Sequence, residues 1–201
     1  MRDPEFKIKN FKKISSTNQK AKKLAFNGAA PWLVVVAEKQ IAGYGKGKVP
    51  WFSPQGGLYF SIILPKSKVD EHSFISTRRP LFGEERARVI EDLQTLTILA
   101  AFIVAKTLKE NFALEPLIKL PNDVLINQKK VAGILTENIV GKDVKQSVMG
   151  IGLNTNIEKF PKELENIATS LKIELGRKID NKKLLEKIVE GLKEQLKVIS
   201  E

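Results

Sequence analysis

One stretch limits what this chain can become. Gln40-Ile41-Ala42-Gly43-Tyr44-Gly45-Lys46-Gly47-Lys48-Val49-Pro50-Trp51 lies between two apolar runs, Trp32 to Glu38 and Leu58 to Leu64. Both runs have the length and β-prone composition of buried strands, so the glycine-rich stretch is expected to be a loop joining two strands. Glycine lets a backbone turn tightly and approach a ligand closely. Successive N–H groups in such a loop form a concavity suited to an anion. Lys46 and Lys48 add positive charge, and Trp51 offers a flat apolar face. The pattern predicts a loop over a small anionic ligand, a nucleotide first of all. A flexible connection with surface lysines fits the same composition equally well, because glycine-rich loops are common.

The chain has 201 residues, 42% of them hydrophobic, which is enough for one sizeable domain with a real core. It has no cysteine, which excludes disulfides and thiolate metal sites and suits a reducing compartment such as the cytoplasm. No charged-then-apolar leader pattern opens the sequence, and every apolar run is far shorter than a membrane span. The net charge of +11 would attract nucleic acid, acidic proteins or phosphorylated ligands. The lysines are scattered, however, and only Arg78, Arg79, Arg86 and Arg88 cluster. A solvated lysine-rich surface is expected, and charge alone does not make a nucleic-acid-binding protein. Met1 to Phe6 reads like translated cloning sites, so a single domain is expected over 7–201.

Residues 7–14 predict a strand. Ser16-Thr17-Asn18-Gln19 predicts a helix start, with Ser16 as cap and Gln19 closing a capping box, and Gly28 ends that helix. Residues 65–88 are long for a loop without structure of its own and hold the only histidine, His72, which alone is no metal site. Apolar periodicity predicts a long buried helix over 89–112. Val124–Ile126 and Val131–Glu137 predict a hairpin turning at 127–129, Gly141-Lys142-Asp143 a second turn, and Val148 to Asn156 a glycine-bearing strand. Two closing helices are predicted over 162–175 and 181–199.

Read together, several motifs become specific. Ser16-Thr17-Asn18, Gln40 with Gly43-x-Gly45-Lys46, Trp51-x-Ser53-Pro54 and Gly57-Leu58-Tyr59-Phe60-Ser61 come first. Lys119-x-Pro121-Asn122-Asp123-Val124, Lys130-Val131-Ala132-Gly133-Ile134-Leu135-x-Glu137, Gly150-Ile151-Gly152-Leu153-Asn154-x-Asn156 and Ala168-Thr169-Ser170-Leu171 follow. In this order they resemble the biotin–protein ligases over about residues 8–190. The resemblance implies an α+β catalytic domain like that of the class II aminoacyl-tRNA synthetases, a mixed, largely antiparallel sheet with helices packed on one side. It implies ATP and biotin as substrates, with Mg2+ accompanying the nucleotide. Biotin's carboxylate attacks the α-phosphate to give biotinyl-adenylate, and a lysine of a biotin carboxyl carrier protein then accepts the biotinyl group. It also implies a homodimer.

The resemblance implies roles for individual residues. Lys119 would bridge the biotin carboxylate and the α-phosphate, as a point charge on a long stem. A lysine snorkelling from a strand end is the bland reading of the same residue. Lys46 would assist as the second catalytic cation. Ser16, Thr17, Asn18 and Gln40 would hydrogen-bond the ureido group, which needs donors and acceptors. Gly43, Tyr44, Gly45, Lys46, Lys119, Gly133 and Leu135 would complete the biotin site. Lys46, Trp51, Lys119, Asn122 and Asn154 would meet the nucleotide. Trp51 fits a core tryptophan too, and Asp123 fits a magnesium ligand, a guide for the incoming amine or a turn residue. No protein-ligated metal site is expected. A lipoate–protein ligase-like enzyme shares the fold and the adenylate chemistry, and a non-catalytic biotin- or nucleotide-binding module is a further alternative. The matching motifs begin at residue 16, so no winged-helix DNA-binding segment and no repressor role are expected; the 45 residues after Asn156 read as helices, so no SH3-like C-terminal domain is expected either.

The loop departs from the family's Gly-Arg-Gly-Arg pattern, reading Gly43-Tyr44-Gly45-Lys46. Lysine keeps the charge but lacks the planar fork that grips phosphate with two hydrogen bonds. The chain is therefore predicted to release biotinyl-adenylate faster than its Lys46→Arg variant. Stopped-flow dissociation of the adenylate checks this, and an equal or slower release from the parent contradicts it.

Overall fold

The computed structural model describes residues 6–65, 93–139 and 146–200. The arginine cluster, His72, the Gly141-Lys142-Asp143 turn and the first residues of the helix predicted from 89 lie outside that set.

A parallel strand pair explains how the first motif meets the second. β1 (Lys7–Ile14), α1 (Thr17–Phe26) and β2 (Leu33–Gln40) form a crossover unit. Two parallel neighbours need such a connection, and the helix supplies it. Ser16 caps α1 by accepting from the Gln19 N–H at 3.5 Å, and Gly28, at φ 83°, turns the chain away at the far end. Ile14 stands opposite Gln40 in the parallel register. The helix start and the end of β2 therefore meet at one edge of the fold.

β3 (Leu58–Ile63), β4 (Leu117–Lys119), β5 (Asp123–Ile126), β6 (Lys129–Ile139) and β7 (Gln146–Leu153) complete a seven-stranded sheet in the order β1-β2-β3-β7-β6-β5-β4. Among the described strands only β1 and β2 run parallel, so the sheet is mixed and largely antiparallel, as expected. Asn127 and Gln128, both at positive φ, make the tight β5–β6 turn.

Alternation along the strands separates two faces. Leu58, Phe60 and Ile62 of β3 and Met149, Ile151 and Leu153 of β7 join the main core with α2 (Leu93–Phe112) and α4 (Asn181–Ser200). Ile63, Val148 and Val35 pack with Ala21 and Ala25 of α1 on the opposite face. Helices thus cover both faces, where the resemblance implied one. The crossover must lie on one side of the sheet, and the long apolar α2 takes the other.

The helix expected over 162–175 shrinks to α3 (Leu171–Leu175). The Lys130 N–H donates to the Ile167 carbonyl at 2.8 Å, and the Thr169 N–H donates to the Lys130 carbonyl at 3.0 Å. These bonds to β6 set Ala168 in a bridge beside Lys130, so residues 162–167 form a turn and no helix continues through them. Ser170 then caps the short helix, accepting from the Ile173 N–H at 3.2 Å.

Past Val148, the α1 face loses its side chains. Gly150 and Gly152 of β7 point that way, and Gly133 of β6 stands directly opposite Gly152. This bare strip is the floor of the site.

Candidate active site

A cavity of about 410 Å³ opens above the glycine floor. What fills the strip explains the glycines. A Cβ at Gly150 would lie 2.1 Å from Asn18 Oδ1, and one at Gly152 would lie 2.5 Å from Trp51 Nε1. At Gly133 it would lie 2.9 Å from Trp51 Cζ3. Two side chains lie directly on the sheet, and only glycine leaves them room.

The polar end is built where α1 begins. The Thr17 N–H and hydroxyl both donate to Gln40 Oε1, at 2.8 and 3.1 Å, and Gln40 Nε2 donates to Ser53 Oγ at 3.0 Å. Thr17 Oγ1 thus keeps its lone pairs for an incoming donor, and Gln40 keeps one amide hydrogen for an incoming acceptor. Asn18 is committed: it accepts from Ser61 Oγ at 2.5 Å and donates to Glu137 Oε2 at 2.8 Å. Glu137 also pairs with Lys22 Nζ at 2.6 Å and accepts from the Tyr44 hydroxyl at 3.1 Å. Burial works to raise the Glu137 pKa, but the hydrogen bonds from Lys22 and Asn18, the Lys22 charge and the Tyr44 hydroxyl outweigh it and hold the carboxyl below its ordinary value. Tyr44 is pushed up to about 12 by burial, then by the neighbouring Glu137 charge and the hydrogen bond it donates.

The cationic end depends on an irregularity. The β5–β6 register shifts between Val124 and Leu125, a bulge that leaves Val131 and Ala132 both buried in the main core. The extra residue turns Lys130 toward the glycine floor. Its Nζ pairs with Asp123 Oδ1 at 2.6 Å and lies 4.9 Å from the centre of the Trp51 ring. Asn122 Nδ2 donates to Asp123 Oδ1 at 2.9 Å. Above, Gly43-to-Trp51 folds as a tight hairpin: the Trp51 N–H donates to the Gly43 carbonyl at 2.9 Å, and the Gly45 N–H to Val49 at 2.8 Å. Gly47, at φ 67°, makes its bend, and Lys46 lines the cavity.

Among the described residues, two buried side-chain polar atoms have no hydrogen-bond partner, Trp51 Nε1 and Asn154 Oδ1. Leaving such an atom unpaired costs about 1–3 kcal/mol. The cation over the Trp51 ring returns only about 0.5–2 kcal/mol. Both atoms belong to side chains that line the cavity.

Residues 10–154 match the sequence profile of the Biotin/lipoate A/B protein ligase family. The chain belongs to that family. Curated members agree. The bifunctional ligase/repressor BirA of Bacillus subtilis (strain 168) is 38% identical over 180 residues, covering 88% of this chain and 49% of that protein. The biotin–[acetyl-CoA-carboxylase] ligase of Paracoccus denitrificans is 34% identical over 145 residues, 71% of this chain and 52% of that protein. The chain therefore spans about half the length of the curated relatives it matches. The solved biotin protein ligase from Aquifex aeolicus, in complex with biotin and ATP, superposes with a TM-score of 0.76 at 28% identity, over 95% of this chain and 70% of that one.

Most residues singled out as biotin/lipoate ligase positions line this one cavity: Ser16, Thr17, Asn18, Gln40, Tyr44, Gly45, Lys46, Trp51, Asn122, Gly133, Leu135 and Asn154. Gly43 lies behind it, where a Cβ would press on Ser53 Oγ and Gln40 Nε2 at 2.7 and 2.8 Å. Lys119 is not part of the lining. It ends the edge strand β4, one strand beyond Asp123, and is exposed. Of the two lysines near Asp123, Lys130 lines the cavity, and Lys119 stands opposite Asp123 on the neighbouring strand. Strict alternation with the buried Ala132 would send Lys130 into the main core, so its direction depends on the bulge. The clue in the sequence is Val131-Ala132, two core residues in succession. Asn156 is structural, accepting from the Ile179 N–H at 2.7 Å and donating to its carbonyl at 3.0 Å. Among the described residues, no group of three acidic or histidine side chains can hold a metal.

Gly152→Ala is expected to lift the Trp51 ring off the sheet, red-shifting its fluorescence and lowering stability by about 1–3 kcal/mol. Trp51→Phe separates this signal from that of Trp32. An unchanged emission spectrum contradicts the packing described.

Proposed function

We propose that this chain activates biotin with ATP and transfers it to a lysine of a biotin carboxyl carrier protein. The observation that carries this reading is the two-ended cavity: hydroxyl and amide groups at one end, lysines and orphaned polar atoms at the other, with Trp51 between. The ureido ring of biotin matches the first end, because Thr17 offers an acceptor and Gln40 a donor. The valerate chain would run over the apolar floor toward Lys130.

The first step joins a carboxylate to a phosphate. A carboxylate oxygen attacks the α-phosphorus, the bond to the bridging oxygen breaks, and pyrophosphate leaves. Two anions must approach, so cations already in place lower the barrier. Lys130 is suited to this by position, and Lys46 lines the same cavity from the loop; we assign to Lys130 the role expected of Lys119. Lys130 would exchange Asp123 for the reacting oxygens, while Asp123 keeps its hydrogen bond from Asn122. The nucleotide would satisfy Trp51 Nε1 and Asn154 Oδ1. In the second step the acceptor lysine's amine attacks the mixed anhydride, an amide forms and AMP departs.

Mg2+ would be held mainly by phosphate oxygens and would offset their charge. Asp123 is the one carboxylate among the described lining residues, which suits a nucleotide-borne magnesium ion better than a dedicated metal site. The net charge of +11 favours encounter with an acidic carrier. No helix among the described residues is long and apolar enough to cross a membrane. A cytoplasmic homodimer completes the reading, supported by the absence of cysteine and by the family resemblance.

Exchange of labelled pyrophosphate into ATP tests the function, run with biotin, with lipoate and with neither. Exchange that depends on biotin is expected. Exchange with lipoate alone would move the chain to the lipoate branch. Biotin binding without exchange would make it a binding module.

A further inference from the structure

Glu137 does not line the cavity, yet its carboxylate joins the three pieces that form the polar end. Lys22 and Asn18 come from α1, Tyr44 from the glycine loop, and Glu137 itself from β6. The three donors differ in what their loss would leave behind. Lys22 balances the charge at 2.6 Å, and both partners are mostly buried, with 28% and 24% of the side chain exposed. Asn18 is locked from its other side by Ser61. Tyr44 alone is carried by a loop, and its hydroxyl is neutral. If it lets go, the carboxylate keeps Lys22 and Asn18 and is never left as an unpaired buried charge. The bond is therefore strong enough to hold the loop and inexpensive to open.

We propose that Tyr44, acting through Glu137, is a positioning residue that fastens the glycine loop over the cavity before a ligand arrives. The fastener sets the loop in register with α1 and with the glycine floor, which fixes where Lys46 stands. An arginine in this place, as in the family's loop pattern, would form a charged pair with Glu137 and compete with Lys22. The tyrosine leaves the charge balance to Lys22 and uses a directional hydrogen bond instead. The consequence for ligand release rests on the biotin-ligase reading; the consequence for the empty loop does not.

The test is digestion of the ligand-free chain with endoproteinase Lys-C, with cleavage after Lys46 and Lys48 followed by mass spectrometry. Tyr44→Phe removes one hydroxyl and nothing else. A hydrogen bond to a charged group is worth about a tenfold shift in the open population or more, so cleavage at these two lysines should rise about tenfold. Cleavage after Lys106 in α2 and Lys187 in α4 should keep the parental rate. Tyr44→Arg should restore protection, because the guanidinium can donate to the same carboxylate. In the biotin-dependent reaction, Tyr44→Phe should raise the KM for biotin with a smaller effect on kcat. Unchanged cleavage at Lys46 and Lys48 would overturn the proposal. So would equal acceleration at all four lysines, which would mean that the hydroxyl supports the whole fold and not the loop. Failure of the biotin-dependent reaction with loop cleavage still increased would refute the functional reading and leave the fastener standing.

Discussion

The site depends on Trp51 lying flat on a strip of sheet with no side chains. Gly133 and Gly152 are opposite each other on β6 and β7, and a Cβ on either would overlap the indole. Because the ring rests there, the glycine loop that carries it is drawn down over the sheet. Lys130 is then confined between the ring and Asp123. The same strip continues to Gly150, under Asn18, and so connects the loop to the start of α1. One packing constraint thus sets the positions of both ends of the cavity.

Two carboxylates, each tied to a lysine, organise the ends in different ways. Glu137 is tied by three donors from two elements and is held below its ordinary pKa, so it remains an anion that other groups are built around. Asp123 has Lys130 and the neighbouring Asn122, and sits on the cavity wall. Losing Lys130 to an arriving anion leaves Asp123 its hydrogen bond from Asn122 on the cavity wall. The Lys22 pair stands off the cavity lining; the Lys130 pair is part of it.

Much of this was legible in the sequence. The apolar runs gave β2 and β3, the Ser16 cap marked α1, and the glycine–lysine stretch marked a loop over a cavity. The family motifs then gathered most of the lining residues. What was not legible has one cause, which is that local patterns say nothing of distant partners. The 162–175 periodicity read as helix because the bonds from Lys130 to Ile167 and Thr169 are long-range. Lys119 takes its expected role from the family resemblance; local pattern does not show that it ends an edge strand opposite Asp123. Lys130 stands within one of the family motifs, but only the bulge at Val131 turns it toward the floor, which no local pattern shows. Glu137 gave no functional signal, since its partners Asn18, Lys22 and Tyr44 are all far away in the chain.

The central claim is that Lys130, and not Lys119, brings positive charge to the reacting oxygens. Pyrophosphate exchange in Lys130→Ala and Lys119→Ala, each first shown by circular dichroism to be folded, tests it directly. Removing a preorganised group that offsets developing charge costs about a hundredfold in rate or more. Lys130→Ala should lose exchange by that factor, and Lys119→Ala should stay within about twofold of the parent, as an exposed lysine contributes little. A collapse of exchange in Lys119→Ala, with Lys130→Ala close to the parent, would contradict the account.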